Sequence, residues 1–392
     1  MTSDARTAYL DYAATTPMRP ESVEAMLPFL TDTFGNPSGG HSAARAAKTA
    51  LETAREQVAA VFSAAPAGIV FTAGGTEADN LAVKGAAHSA RSAGAGDGVV
   101  TTRIEHKGVL ASVDRLEREG FRVTRAGVDS GGIVDLDALA EALDERTVVV
   151  SVMLVNNEVG TIQPLADVVR LVRERAPHAV VHTDAVQAVP WLDPAAARDA
   201  DLVAISAHKF GGPKGVGALV VRPGVSVTPL VEGGGQEREL RSGTSNVAGV
   251  VAMAAALQAT VAQRDAQVER IRVLRDRLAS GLAERVPGAF FNGDPVRKVA
   301  GNCHVGFPGV EAEALLLMLD TAGVCAAAGS SCSSGATDPS HVLAAMGIGR
   351  ADALASIRLS LGVASTDADI DLALDVIPEC VEKLRAAGTV PS

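Results

Sequence analysis

Residues 200–209 read A-D-L-V-A-I-S-A-H-K. The apolar run predicts a buried strand that ends at Ser206, and Lys209 follows at the mouth of that strand. A second apolar run, V-G-A-L-V-V at residues 216–221, lies beyond the turn-forming stretch G-G-P-K-G. Burial lowers the pKa of a lysine, which an amine needs in order to act as a nucleophile or to form a Schiff base. The alternative is a strand-end lysine that reaches back to water.

A carboxylate, Asp184, lies one strand earlier in the stretch A-V-V-H-T-D-A-V-Q at residues 179–187. Because it follows an apolar run, we expect it to be largely buried at a strand end. A buried carboxylate needs a cationic or donor partner. A protonated pyridine nitrogen would supply that partner, and the carboxylate would keep the ring an electron sink. The alternative is a helix N-cap, because A-V-Q-A-V follows.

Short apolar runs alternate with amphipathic helical patterns between residues 68 and 222. This alternation predicts an α/β domain with a mostly parallel, mixed sheet, in which ligands bind at the carboxyl ends of the strands. The expected strands are residues 68–72, 98–102, 122–125, 147–154, 179–183, 202–206 and 217–221, and the expected helices are residues 108–119, 135–143 and 164–175.

A long helical pattern at residues 247–286 changes from apolar to charged and is typical of a connector between domains. The order strand, helix, Gly/Ser/Ala loop, strand and helix follows it, which predicts a smaller α+β domain. We expect a large domain at residues 17–262. The small domain would comprise residues 1–16 and 263–392 and carry a loop at about residues 325–340.

The composition limits the possible partners and the compartment. The chain has 392 residues and a net charge of −11, which argues against direct binding to nucleic acid or to an anionic membrane surface. The N-terminus has no signal pattern, and the apolar stretch at residues 247–262 predicts a buried helix rather than a membrane span. Four scattered cysteines suit a reducing interior better than a disulfide framework. We therefore expect a cytoplasmic protein.

The stretch F-T-A-G-G-T-E-A-D-N at residues 71–80 runs from a strand through two glycines into a helix that we expect Thr76 to cap. Backbone amides at such a helix N-terminus suit a phosphate, although neither the Walker nor the dinucleotide pattern is matched. A capped helix after a tight turn is the alternative.

His106 also ends a strand run and could stack on a flat ring or transfer a proton, unless it is purely structural. Asn157 and Gln187 are neutral strand-end groups suited to a ring oxygen.

Cys332 lies in the small-residue stretch A-A-A-G-S-S-C-S-S-G-A-T-D-P-S-H at residues 326–341. Such a segment predicts a mobile loop with a reactive thiol, against the alternative of a buried cysteine. Zinc binding by Cys325, Cys332 and His341, with Cys303 or His304, matches no paired-ligand spacing, so no metal is expected. Arg358, in S-I-R-L-S-L at residues 356–361, needs a carboxylate partner from the protein or a substrate.

Together these segments resemble the NifS/IscS-like cysteine desulfurases of the class V aminotransferase family. The resemblance runs nearly from end to end and also includes L-D-Y-A-A-T-T-P, F-G-N-P-S-G-G-H, N-N-E-V-G-T-I-Q-P and Q-E-R-E-L-R-S-G-T-S-N, at residues 10–17, 34–41, 156–164 and 236–246. It implies the fold of the aspartate aminotransferase-like, pyridoxal phosphate-dependent transferases. It also implies a homodimer with both sites at the interface.

The resemblance also implies a role for each candidate residue. Lys209 would form the Schiff base with pyridoxal 5'-phosphate, and Cys332 would receive the sulfur of L-cysteine as a persulfide, leaving alanine. His106 would stack on the ring, and Asp184 would face its nitrogen. The remaining contacts would be Asn157 and Gln187 to the ring hydroxyl; Gly75, Thr76, Ser206, His208 and the second subunit's Thr244 to the phosphate; and Arg358 and Asn36 to the substrate carboxylate.

Other functions compatible with the same residues are those of a selenocysteine lyase, an aminotransferase, or an inactive scaffold in a sulfur-transfer complex. An aminotransferase would need no loop thiol, and a scaffold would need neither Lys209 nor Cys332.

The sulfur acceptor is expected to be a protein that serves iron–sulfur assembly, tRNA thiolation or DNA phosphorothioation. Cys325, which precedes the reactive loop, is an additional cysteine that could stay buried or compete for the persulfide.

Overall fold

The computed structural model describes residues 7–329 and 339–388. Cys332 and most of its loop lie outside these ranges. The strands are β1 (Ala8–Tyr9), β2 (Ile69–Thr72), β3 (Gly98–Thr102), β4 (Arg122–Ala126), β5 (Thr147–Ser151), β6 (Val180–Asp184), β7 (Leu202–Ser206), β8 (Gly217–Val221), β9 (Phe290–Phe291), β10 (Asn302–Gly306), β11 (Val324–Cys325), β12 (Ala327–Ala328) and β13 (Ser356–Ser360). The α-helices are α1 (Pro20–Met26), α2 (Ser42–Val61), α3 (Gly75–Ser92), α4 (Lys107–Arg118), α5 (Leu136–Ala142), α6 (Leu165–Arg175), α7 (Val247–Arg285), α8 (Ala312–Thr321), α9 (His341–Ala345), α10 (Arg350–Leu354) and α11 (Asp367–Ala386).

The central element is a seven-stranded sheet in the order β2-β8-β7-β6-β5-β3-β4. Its neighbouring strands are parallel except at β8, which pairs antiparallel with both β2 and β7. Several strands, including β5 and β7, are buried along their whole length. Helices cover both faces of the sheet, so these strands read as continuous apolar runs rather than alternating ones. The sequence predictions of strand positions and of a mostly parallel mixed sheet are therefore confirmed.

Two hydrophobic clusters cover the two faces of the sheet. On one face, Val58 of α2, Leu139 of α5 and Val168 of α6 pack with the first half of α7. On the other face, Leu81 of α3 and Leu116 of α4 pack against the sheet. The sheet is thus the middle layer of an α/β/α arrangement, with its carboxyl edge left for polar groups.

A third hydrophobic cluster forms a separate core around a four-stranded antiparallel sheet, in the order β12-β13-β10-β9. Residues from both ends of the chain contribute to it, including Leu10, Leu315 of α8 and Ile377 of α11. Strand β1 pairs parallel with β11, which ties the start of the described chain to this core. The proposed boundaries after residues 16 and 262 stay a prediction.

Helix α7 connects the two cores. Its 39 residues span about 58 Å at 1.5 Å per residue. Met253 and Leu257, in its first half, pack into the core of the large sheet, whereas Leu278 and Leu282 pack into the small one. By length and composition this helix could cross a membrane, but more than half of its most apolar stretch is buried inside the protein. The apolar stretch is therefore part of a core helix.

Two strand histidines make folding stability depend on pH. His182 in β6 and His304 in β10 are both fully buried, and desolvation lowers the pKa of each to about 3. The unfolded chain takes up a proton at its ordinary pKa near 6.5, while the folded chain stays neutral, so stability is lost as the pH falls below that value.

His304→Gln should remove one of these contributions. From about pH 6 to about pH 4, the wild-type protein should lose about 1.4 kcal/mol more unfolding free energy per pH unit than the variant does. Urea unfolding followed by circular dichroism at a series of pH values measures both slopes. The exposed His178 provides the control, because His178→Gln should keep the wild-type slope. Equal slopes for wild type and His304→Gln would contradict the assignment.

Candidate active site

A cavity of about 340 Å³ opens at the carboxyl edge of the large sheet. Asp184 and Ser206 are the last residues of the adjacent strands β6 and β7, and His106 and Asn157 lie beyond the ends of β3 and β5. Ten of the predicted site residues line this cavity: Gly75, Thr76, His106, Asn157, Asp184, Gln187, Ser206, His208, Lys209 and Arg358. The strand order therefore brings together groups that are far apart in the sequence.

Lys209 points into the protein. Its Nζ donates hydrogen bonds to the carbonyl oxygens of Ala13 at 2.6 Å and Ala14 at 2.8 Å. The side chain is half-buried and lines the cavity. The alternative of a strand-end lysine that reaches water is therefore wrong. Two fixed carbonyl acceptors hold the amine at the carboxyl edge of the sheet.

The Asp184 carboxylate is 5% exposed. One of its oxygens accepts the backbone N–H of Val186 at 2.9 Å. The helix N-cap alternative is wrong, because turns rather than a helix follow at residues 186–190. Burial raises the pKa of Asp184, whereas His106, the Val186 N–H and Lys209 oppose that rise. The carboxylate thus contacts the backbone locally and also lines the cavity.

The N-terminus of α3 forms one wall of the cavity. Helix α3 begins at Gly75, with Gly74 as its N-cap at φ +149° and no side-chain cap. The prediction that Thr76 caps this helix is wrong, because Thr76 lies within its first turn. A Cβ atom at Gly75 would lie 2.8 Å from Val186 Cγ2, so this wall requires glycine. The backbone amides here are arranged as an anion site requires.

Two histidines flank this wall. His106 caps α4, because its Nδ1 accepts the Gly108 N–H at 3.0 Å. Burial lowers the pKa of His106, and Asp184 partly counters that effect. His208 lies 3.1 Å from the hydroxyl of Thr15 through its Nδ1. Burial, together with the positive charges of Lys209 and Lys214, lowers the pKa of His208 to about 4. Both rings can therefore contact a ligand as neutral groups near pH 7.

Arg358 is buried in the middle of β13, as the sequence predicted. Its Nη2 donates to Asp11 Oδ1 at 2.8 Å and its Nη1 donates to the Asn157 carbonyl at 2.9 Å. A carboxylate of the protein therefore pairs with this guanidinium in the described chain. Such a fixed, paired guanidinium at the cavity wall suits recognition of a second carboxylate.

Two predicted residues lie elsewhere, and a third falls outside the described ranges. Asn36 and Thr244 are exposed and are not among the residues that line the cavity. Cys332 is outside the described residues. The roles assigned to these three residues stay predictions, as do the roles of the ten that line the cavity.

Sequence reasoning assigned no role to several groups that the structure places at the cavity. Residues 11–15 supply the carbonyls that hold Lys209, the carboxylate that holds Arg358 and the hydroxyl beside His208. The sequence signal that could have pointed to these residues was the stretch L-D-Y-A-A-T-T-P, which is part of the resemblance. Asp79, Glu158 and His341 also line the cavity. Asp79 and Glu158 lie in the stretches at residues 71–80 and 156–164 that carry the resemblance, and His341 was considered only as a zinc ligand.

Comparison with known proteins assigns the chain to a family. The aminotransferase class-V family profile matches residues 8–373. An IscS-like cysteine desulfurase of Mycobacterium tuberculosis is 46% identical over 97% of this chain and 98% of its own length. The solved structure of a NifS-like protein has a TM-score of 0.90 at 37% identity and covers 96% of this chain and 100% of that one.

A structure of SspA in complex with cysteine has a TM-score of 0.80 at 32% identity, covering 91% of this chain and 99% of that one. Similarity in both sequence and structure therefore extends over nearly the whole chain and includes every strand that borders the cavity. The chain belongs to the aminotransferase class-V family, and within it to the cysteine desulfurases of the NifS/IscS type.

Proposed function

We propose that this cysteine desulfurase holds pyridoxal phosphate through Lys209 and collects the sulfur of L-cysteine on Cys332. The observation that carries the proposal is that the Lys209 amine, the Asp184 carboxylate and the N-terminus of α3 border one cavity. An amine, a carboxylate and an anion site are the three groups that this cofactor requires.

The residues of the cavity fit the cofactor. Gly75, where a Cβ would contact Val186, leaves the helix amides and the Ser206 and Thr76 side chains open to a phosphate. Asp184 would face the ring nitrogen, His106 would stack on the ring, and Asn157 and Gln187 would contact the ring hydroxyl. When bound, pyridoxal phosphate supplies an electron sink for the bonds that break at the substrate.

The residues of the chain would then bind the substrate and move its protons. Arg358, oriented by Asp11 and the Asn157 carbonyl, offers its guanidinium to the cysteine carboxylate, together with Asn36. The Lys209 amine is held at the cavity by two carbonyls, and it removes the proton from the substrate α-carbon. The same amine returns a proton as L-alanine forms.

Cys332 would complete the reaction. Its thiolate attacks the sulfur of cysteine, and a sulfur–sulfur bond forms on Cys332. The carbon–sulfur bond breaks with its electron pair left on the β-carbon, which takes up the proton of the substrate thiol to become the methyl group of alanine. The products are L-alanine and a persulfide. Cys325 is a poorer nucleophile, because burial and the nearby Asp320 and Asp11 raise the pKa of its thiol. We therefore assign the persulfide to Cys332 alone.

A homodimer would complete each site. Thr244 is exposed and does not line the cavity of its own chain, so it would contact the phosphate of a partner subunit. Val23, Leu27, Leu30 and Phe34 are exposed apolar side chains of one short segment, and Phe34 is 77% exposed. An exposed apolar patch of this kind is typical of a protein–protein interface.

The persulfide would pass to an acceptor protein. The net charge of −11 favours an acceptor with a basic surface around its receiving thiol. Iron–sulfur assembly, tRNA thiolation and DNA phosphorothioation are the candidate destinations, with neither nucleic acid nor membrane bound directly. Few, scattered cysteines support a reducing, cytoplasmic location.

Lys209→Arg tests the attachment of the cofactor. Borohydride treatment permanently attaches the cofactor to the lysine that holds it, so the wild-type peptide with Lys209 should gain the cofactor mass. The arginine variant should gain none and lose at least about 100-fold in alanine formation. Peptide mass spectrometry makes the measurement, and Lys214→Arg, at a nearby exposed lysine, should behave as wild type. Cofactor found on another peptide would refute the assignment, and a protein that never takes up cofactor would be the inactive scaffold.

Cys332→Ala tests the sulfur acceptor. The variant should keep the visible absorbance of bound cofactor but form neither sulfide nor persulfide from L-cysteine, because the attacking thiol is gone. Cys325→Ala is the matched control and should still accumulate a persulfide on the peptide with Cys332, as measured by alkylation and mass spectrometry. Sulfide release at the wild-type rate by Cys332→Ala would favour a lyase that needs no loop thiol. A strong preference for selenocysteine would identify a selenocysteine lyase.

Mixed dimers test whether Thr244 acts across subunits. Thr244→Ala should weaken cofactor binding about tenfold to a hundredfold through loss of a hydrogen bond to a charged group. Pairing a Lys209→Ala subunit with a Thr244→Ala subunit leaves one intact site, so about half of the wild-type activity should return. If one subunit carries both substitutions and its partner is wild type, both sites are damaged. Equal activity in the two pairings would show that Thr244 does not act on the partner's site.

A further inference from the structure

A second buried carboxylate lies behind Asp184. Asp79, the fifth residue of α3, is 1% exposed, and its Oδ1 lies 3.5 Å from Nε2 of the fully buried His182. Neither of these two atoms makes a hydrogen bond within residues 7–329 and 339–388. His182 Nδ1 lies 2.9 Å from the hydroxyl of Ser151 on the neighbouring strand. A line of side chains thus runs from Ser151 through His182 to Asp79.

Asp79 and Asp184 lie close enough for the charge of one to affect the protonation of the other. Oxygens of both carboxyl groups and a ring nitrogen of His106 lie within 4.8 Å of one another. Two like charges this close and this buried repel strongly, so the pair binds a proton at neutral pH. His182 cannot supply a compensating cation, because desolvation lowers its pKa to about 3.

The contacts favour Asp79 as the residue that carries the proton. Asp184 accepts the Val186 N–H, and both His106 and Lys209 lower its pKa. Asp79 Oδ1 has no such donor in the described chain. Burial, followed by the charges of Asp184 and Glu105, raises the pKa of Asp79 well above its ordinary value.

We propose that Asp79 is a positioning residue for Asp184: its protonated carboxyl group donates to His182 Nε2, and the negative charge of the pair stays on Asp184. His182 would then carry its own proton on Nδ1 and donate it to Ser151. This inference rests on the proposed function, because the location of the charge matters to a ring nitrogen that faces Asp184. The bound ring would meet one anion instead of two.

Infrared spectroscopy of the intact protein tests the location of the proton, because a protonated carboxyl group has a carbonyl stretch distinct from that of a carboxylate. Protein labelled with ¹³C-aspartate should show one label-sensitive protonated component at neutral pH, with or without added pyridoxal phosphate. This measurement needs no substitution. Absence of the component would overturn the proposal.

Substitutions then assign that component. Asp79→Asn, which keeps the shape of the side chain, should abolish it, and Asp184→Asn should retain it; the reverse result would overturn the proposal. His182→Gln should shift its frequency, because the hydrogen-bond acceptor changes, and an unchanged frequency would disprove the pairing with His182. Glu105→Gln is the matched control, since Glu105 is also fully buried with a pKa raised to about 8, but a glutamate does not respond to the aspartate label.

The outcome is separable from that of the proposed function. The infrared component can be measured in protein free of cofactor, whereas the attachment of cofactor to Lys209 is read by mass spectrometry. Failure of Lys209 to hold cofactor, with the Asp79 component present, would refute only the proposed function. Correct attachment without a protonated Asp79 would refute only the present inference.

Discussion

A buried negative charge at the end of β6 is the constraint on which the rest of the site depends. An unpaired carboxylate at that depth costs several kcal/mol, so Asp184 requires positive charge or hydrogen-bond donors nearby. The sheet places β7 beside β6 in parallel, and Lys209 follows the end of β7. The lysine in turn needs acceptors, which the Ala13 and Ala14 carbonyls provide. The buried carboxylate thus requires the lysine nearby, and the lysine in turn requires the two carbonyl acceptors.

The strands and most of the site could be predicted because burial leaves a direct mark on the sequence. Strands covered on both faces are continuous apolar runs, and the polar residues that follow them meet at one edge of a parallel sheet. Lys209, Asp184 and His106 could be found in this way. The cap of α3 could not, because Gly74 adopts a backbone conformation that side chains avoid, and Glu77 reaches back to the Ala73 N–H instead.

Contacts between side chains that are far apart in the sequence could not be predicted in this way. Asp11 and Arg358 are 347 positions apart, and no periodicity or spacing connects an aspartate near the start of the chain with a strand near its end. Asp79 has the pattern of an ordinary polar residue near the start of a helix, and only the fold shows that it is buried against His182. The sequence therefore predicted which residues end strands, but not which side chains would neutralise them.

The route of the first described residues has a consequence for how the protein is made. Strand β1 pairs with β11, and Asp11 bridges to Ser360, so residues 8–11 find their places only after residues 324–360 have emerged from the ribosome. The large sheet, whose strands all lie before residue 222, can assemble earlier during translation. Thr16, two residues beyond Ala14, is instead held by the large domain, because its N–H donates to the His208 carbonyl and its hydroxyl accepts the Gly211 N–H. The stretch that lies over Lys209 therefore joins two parts of the fold that form at different times, because its start is fixed by the small core and its end by the large sheet.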